Sequence, residues 1–280
     1  MNALLGPFVA LSASLAYGGS DFLGGMLSRR RPAAAVVGVS QACSLVLLVV
    51  VVAVTGLPDD WSWVPWSVGA GAAGALGLVF FYSALASGTV SVVSPISATG
   101  AILPVAIAFL GGERPGVMKV SGIVLALVGA VLASGPELRG EPRVKARAVW
   151  LAVIAAVCFG VTLYAIARGS QVSALATMFG MRSTSVTGFV IAAMVTRSVG
   201  GVRAAELPVL ALVGVTDVGA NLLLGISTTL GMVSVATVLA SLYPVVTVAL
   251  AAVFLHERMR PVQVVGVVAA LTGVVLIAVI

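Results

Sequence analysis

Apolar residues run along this chain in ten blocks of about 20, each nearly free of charge and closed by a short polar or proline-bearing break. The blocks fall at 5–27, 34–55, 64–87, 90–111, 116–134, 148–168, 173–196, 207–229, 232–255 and 261–280. A helix needs about 20 apolar residues to cross a bilayer, so each block predicts one transmembrane helix. Runs such as Leu45 to Val54 lack the apolar–polar alternation of a membrane barrel. The chain is expected to be an all-α polytopic membrane protein.

The breaks support this division. Arg29-Arg30-Arg31-Pro32 ends the first block, and Leu57-Pro58-Asp59-Asp60 separates the second from the third. Trp61, Trp63 and Trp66 cluster at the entrance to the third, as in an interfacial aromatic belt. The longest polar stretch, Gly135 to Arg147, divides five blocks from five. It predicts two units, 1–134 and 148–280, joined by a linker at 135–147.

The closing pair of blocks repeats an earlier one. Val90 to Leu132 aligns with Val233 to Leu276: Ser91 with Ser234, Glu113-Arg114 with Glu257-Arg258, Gly122 with Gly266 and Gly129 with Gly273. Five crossings is an odd number, so the second unit enters from the opposite side. The expected architecture is ten transmembrane helices as two inverted five-helix repeats, a common plan of secondary transporters.

Composition agrees. The chain is 60% hydrophobic and 9% charged, whereas a soluble domain carries about 25% charged residues. The formal charge of +6 lies in short loops beside apolar blocks, where it meets lipid headgroups rather than nucleic acid. Loops one, three, five, seven and nine hold eleven basic residues, against three for the even loops with the adjoining helix start. The positive-inside rule then puts the odd loops in the cytoplasm and both termini outside. The N-terminus has no basic leader region and reads as a retained first span.

The repeated pattern resembles the EamA repeat of the drug/metabolite transporter superfamily. It consists of an apolar helix with a proline, then Glu-Arg, then a glycine pair seven residues apart. Tyr243-Pro244, His256-Glu257-Arg258 and Gly266…Gly273 carry it in the second half. Gly112-Glu113-Arg114-Pro115 and Gly122…Gly129 carry it in the first. Tyr17-Gly18-Gly19-Ser20-Asp21 resembles the family's opening motif, with Cys158-Phe159-Gly160 as its counterpart. The resemblance implies a carrier in the cell membrane that moves a small metabolite or drug by alternating access. It names no substrate. Members are often drawn with cytoplasmic termini, opposite to the charge count.

Three ionisable residues fall inside blocks: Asp21, Arg182 and Asp217. Each costs about 2.5–3.5 kcal/mol at a helix centre on insertion scales. Arg182 and Asp217 lie near the middle of adjacent antiparallel blocks, where a close ion pair gains about 4 kcal/mol at an effective dielectric near 20. They either line a central cavity or form a structural pair. Asp21 either lines that cavity or pairs with Arg29 at the interface. Asn221, four residues after Asp217, shares its face.

Tyr82, Tyr164 and Tyr243 are further candidates for an amphipathic cavity, and Gln41, Gln171, Thr162, Ser227, Thr228 and Thr229 are polar neighbours. Gly18, Gly19, Pro95, Pro104 and Pro244 are hinge candidates. Small-residue seams at Gly69, Gly71, Gly74 and Gly77, and at the two glycine pairs, predict close helix packing or dimerisation.

Enzyme chemistry has no support. His256 is the sole histidine, Cys43 and Cys158 are far apart, and no metal, phosphate or dinucleotide motif occurs. No cofactor or metal is expected. The expected partners are the lipid bilayer and a small polar or amphipathic solute, with export favoured and the chain a monomer or homodimer. A proton-coupled cycle would use Asp21 or Asp217; uncoupled exchange is the other option. The competing class is a non-transporting membrane scaffold or lipid-interacting protein with a structural Arg182–Asp217 pair.

Overall fold

The computed structural model describes residues 4–28, 30–87, 96–134, 146–197, 201–254 and 259–278. Those residues are mostly helical, with no strand among them. The helices are α1 (Leu5–Ser28), α2 (Ala33–Thr55), α3 (Val64–Ser87), α4 (Ile102–Leu110, entered through a 3₁₀ turn at Thr99–Ala101) and α5 (Val117–Ala133). Then come α6 (Ala146–Thr196), α7 (Leu207–Leu230), α8 (Val233–Ala240), α9 (Tyr243–Phe254) and α10 (Pro261–Ala278). The linker at 135–145, Pro95 and Glu257-Arg258 lie outside the described residues.

Among those residues, five helical stretches are long and apolar enough to cross a membrane: Ala33–Thr55, Val64–Phe81, Ala146–Thr196, Ala204–Leu230 and Val233–Phe254. Three shorter apolar ones are Ile96–Leu110, Val117–Ala133 and Pro261–Ile277. Helix α1 is as long but carries many small and polar residues, Ser12, Ser14, Gly18, Gly19, Ser20 and Asp21 among them.

The 51-residue α6 is two arms. Its backbone leaves helical geometry at Ser173, with φ −160° and ψ 115°. The Ser173 hydroxyl accepts the Ala176 N–H at 3.2 Å and starts the second arm. A straight helix would hold Thr162 and Met181 about 28 Å apart. A Cβ placed on Gly74 of α3 would instead touch both, at 3.5 and 3.6 Å. The chain therefore folds back at Ser173, within the boundary the apolar pattern predicts between 168 and 173.

Packing is inside-out relative to a soluble protein. Leu110 and Val117 are 88% exposed and Val54 83%, whereas Ser44, Ser67, Thr177 and Ser234 are fully buried. Lipid supplies an apolar surround, so helices adhere through small residues that allow close backbone approach. Buried hydroxyls bond back to their own helix, as Ser40 does to the Val37 carbonyl at 3.0 Å and Thr228 to that of Gly225 at 2.7 Å.

Glycines set the closest contacts. Helices α5 and α10 pack together within one molecule, so these seams serve an internal contact. A Cβ on Gly122 would stand 3.0 Å from the Gly273 oxygen, and one on Gly129 2.8 Å from the Gly266 oxygen. As residue numbers rise along α5 they fall along α10, so the two run antiparallel. On α3, Gly71 faces the Met181 carbonyl and Gly77 the Phe159 ring, while nothing lies within 4 Å of Gly69. Gly69 is thus not part of the seam that the sequence suggested.

One interfacial expectation needs correction. Trp61 is 60% exposed, but Trp63 is buried and Trp66 meets Tyr164 edge-on, so two of the three tryptophans pack inward rather than form a belt. Of the prolines near the two Glu-Arg pairs, Pro261 begins α10, whereas Pro115 lies two residues before α5, whose N-cap is Gly116.

Glu113 reaches beyond its own loop. Its carboxylate accepts the N–H of Val233 at 2.7 Å, the N–H of Ser234 at 3.1 Å and the Ser234 hydroxyl at 2.5 Å. It thereby caps the N-terminus of α8 from the loop between α4 and α5. An anion is favoured there because the first turn of a helix has unpaired N–H groups.

Glu113→Gln should lower stability by about 1–3 kcal/mol, because a charge-assisted cap becomes neutral. Gly129→Ala should cost about 1–3 kcal/mol through overpacking against the Ala270 backbone, whereas Gly69→Ala should be neutral or slightly stabilising. Thermal unfolding in detergent, followed by tryptophan fluorescence, reads all three; equal effects at Gly129 and Gly69 would contradict the packing account.

Candidate functional site

The central feature is a cavity of about 170 Å³ between the two halves of the chain. Its wall draws on α1 (Tyr17, Asp21), α2 (Gln41), α3 (Gly74, Leu78, Phe81) and the turn before α4 (Ser97, Ala98, Gly100). Both arms of α6 contribute, through Phe159 and Thr162 and through Met181 and Arg182. Asp217 and Asn221 of α7 and Ala240, Ser241 and Tyr243 around the α8–α9 break complete it.

Helical spacing explains which side chains arrive. Tyr17 and Asp21 are four apart on α1, and Asp217 and Asn221 are four apart on α7, so each pair shares a face. Arg182 pairs with Asp217 through Nη2 and Oδ2. The Arg182 side chain is only 1% exposed, while Asp217 keeps 31%. Asn221 donates from Nδ2 to the Asp217 carbonyl at 2.8 Å, with Asp217 Oδ2 at 3.5 Å. The Tyr17 hydroxyl donates to Asn221 Oδ1 at 2.9 Å. One polar chain therefore links α6, α7 and α1.

Asp21 is exposed to the cavity and has no hydrogen-bond or ion-pair partner among the described residues. Arg29 lies outside them. Three buried atoms on the wall also lack a partner there: Gln41 Oε1, Ser97 Oγ and Arg182 Nε. Buried polar atoms are seldom left unmatched, but these three are closed off, and the polar groups that a solute can reach on the wall are the Asp21 and Asp217 carboxylates.

The rings form two pairs. Tyr17 and Tyr243 have centroids 6.1 Å apart at 59°, and Phe81 and Phe159 are 6.0 Å apart at 64°. Tyr164 is elsewhere. It stands edge-on to Trp66 at 6.0 Å, and the Arg168 guanidinium lies 5.5 Å over that indole. Two residues from Thr162, it is turned about 200° around the helix and so faces away from the wall. The Tyr82 side chain lies outside the described residues; its neighbour Phe81 lines the cavity. Gln171 bonds the Thr228 carbonyl at 3.2 Å and Ser227 bonds that of Gly6 at 2.8 Å, so these are links between helices.

The hinge candidates divide. Helix α1 is helical through Gly18 and Gly19. Gly18 serves close contact instead: a Cβ there would stand 2.5 Å from Val246 Cβ and 3.1 Å from the Tyr243 oxygen. Nothing lies within 4 Å of Gly19. Pro104 and Pro244 each fall in the first turn of a helix, just after a break at 99–101 and at 241–242. A proline there removes the N–H that would reach the residue four back. Those residues, Gly100 and Ala240, are both in the cavity wall.

Four wall residues, Tyr17, Phe159, Ser97 and Phe81, are not among the candidates that the sequence marks. A signal existed for Tyr17, four residues from Asp21. Phe159 is its counterpart under the repeat. Phe81 and Ser97 had none.

Comparison with known proteins places the chain. The model of the EamA-like transporter family matches residues 4–135 and again 146–279. No curated protein matches in sequence. A solved structure titled only "Crystal structure of protein" superimposes with a TM-score of 0.79 at 17% identity, covering 98% of this chain and 97% of the other. At that identity the likeness is one of fold.

Asp217→Asn should destabilise by about 3–5 kcal/mol, since it strands a guanidinium that has no access to water. Arg182→Met should cost less, because the Asp217 carboxylate remains in contact with the cavity. Unfolding in detergent checks the order, and the reverse order would refute this account of the pair.

Proposed function

The chain belongs to the EamA-like transporter family, and on that premise we propose that it is a secondary carrier for a small polar or amphipathic metabolite or drug. The observation that carries this reading is the cavity: residues of both family-matched segments line it, with accessible carboxylates on its wall. The membrane is the cell membrane, and export is the favoured direction. The functional unit is a monomer or homodimer, since internal packing of α5 and α10 removes one reason for dimerisation and no more.

On this reading the chain crosses the bilayer ten times, as two inverted units at 1–134 and 148–280 with a linker at 135–147. Antiparallel contact of α5 with α10, which the repeat makes counterparts, supports the inversion. So does the pairing of helices across the halves. Helix α1 packs on α7 as α3 packs on α6, and α4 meets α8. Alternating access would use the paired breaks at 99–101 and 241–242, where bending costs few hydrogen bonds. A proton-coupled cycle would run through Asp21 or Asp217.

A test of alternating access uses Ala75→Cys, on the cavity wall, with Cys43 and Cys158 replaced by alanine. In proteoliposomes a membrane-impermeant thiol reagent should modify it from either face. Reaction from one face alone, or from neither, would overturn the carrier cycle. In the same vesicles Asp217→Asn should reduce solute flux at least about tenfold, the equivalent of one lost charged contact.

A further inference from the structure

We propose that the cavity selects amphipathic organic cations, with Asp21 as the residue that reads the positive charge. The inference rests on the carrier reading and names the class of solute that its site would take.

Charge accessibility decides the sign. The described wall holds three formal charges: Asp21, Asp217 and Arg182. The one cation is 1% exposed and already engaged by Asp217, which itself retains 31%. Asp21 is exposed and without an opposite partner among the described residues. An entering solute therefore meets two carboxylates and almost none of the guanidinium. An anion would have to displace Asp217 from Arg182 before finding a counter-charge. A cation needs no rearrangement.

The rest of the wall suits the body of such a solute. Tyr17 is one helical turn from Asp21 on the same face of α1, and its ring tilts against Tyr243 at 6.1 Å. Ring faces attract cations, and more so where water is displaced. Phe81, Phe159, Leu78 and Met181 supply apolar surface to the same cavity. A carboxylate with no opposite partner among the described residues, beside two tyrosines and an apolar floor, matches a charged nitrogen carried on a hydrophobic group.

The experiment compares phenyltrimethylammonium with tert-butylbenzene, its uncharged counterpart of the same shape, by calorimetric binding to the purified full-length protein. The wild type should prefer the cation at least about tenfold. Asp21→Asn should abolish that preference and Asp21→Glu should retain it. The preference is a ratio within one sample, so partial loss of folded protein does not alter it. Equal binding of the two solutes by the wild type, or an unchanged ratio in Asp21→Asn, would overturn the proposal. Flux of radiolabelled phenyltrimethylammonium into proteoliposomes separates this proposal from the reading beneath it. Cation-selective binding without flux upholds the cation site and counts against the carrier. Saturable flux of a neutral or anionic metabolite without cation binding does the reverse.

Discussion

A guanidinium placed among helices, almost out of reach of water, constrains everything around it. Arg182 must have an anion at hand, and Asp217 on the neighbouring helix supplies it. Asp217 must then be held, which Asn221 does one turn away, and Asn221 is held in turn by the Tyr17 hydroxyl. The consequence is a fixed relation among α1, α6 and α7. A buried ion pair adds little net stability over an apolar core, so stability alone is a weak reason for this arrangement. Its asymmetry is more informative: the arginine is buried and the aspartate is partly exposed. That is the geometry of a charge pair at the edge of a cavity rather than inside a packed scaffold.

Surrounding helices approach closely enough to enclose that cavity because their contacts are made by glycine, alanine and serine. Gly74 and Gly77 bring α3 against both arms of α6, and Gly18 brings α1 onto the carbonyl of Tyr243. Lipid offers no hydrophobic gain on helix association, so backbone proximity and dispersion carry the assembly. The larger apolar side chains are left to face the surround. The same residues that make α1 a poor match to an ordinary apolar span, its glycines, serines and Asp21, make it a wall of the cavity.

Much of the fold was legible because membrane helices advertise themselves through length and apolarity. Block boundaries at 64–87 and 207–229 fall within a residue of α3 and α7. The i, i+4 relation of Asp217 and Asn221 was readable because it is local. What was not readable depends on rotation about helix axes. Tyr164 and Thr162 are two residues apart yet face opposite ways, and nothing in their composition distinguishes them. The Glu113 cap on α8 joins residues 120 apart, and nothing local to the Glu-Arg motif points to its partner. Nor does the sequence show that Pro104 and Pro244 each follow a short break, where their missing N–H groups do least harm.

The repeat and the cavity make opposite demands, and the wall shows how they are met. Under the duplication Gly18 corresponds to Gly160 and Gly100 to Tyr243, and the backbone crossings match: Gly18 meets the carbonyl of Tyr243 as Gly160 meets that of Gly100. Side chains at the corresponding wall positions do not match. Tyr17 stands opposite Phe159, and Asp21 opposite Leu163. In the proposed cycle two inverted units exchange conformations around one site, so symmetry is required of the backbone crossings that move. No such requirement falls on side chains that face the solute in both states. Divergence there costs the cycle nothing and gives the cavity a polar, acidic side and an apolar side. A duplicated scaffold can in this way hold a chemically one-sided site.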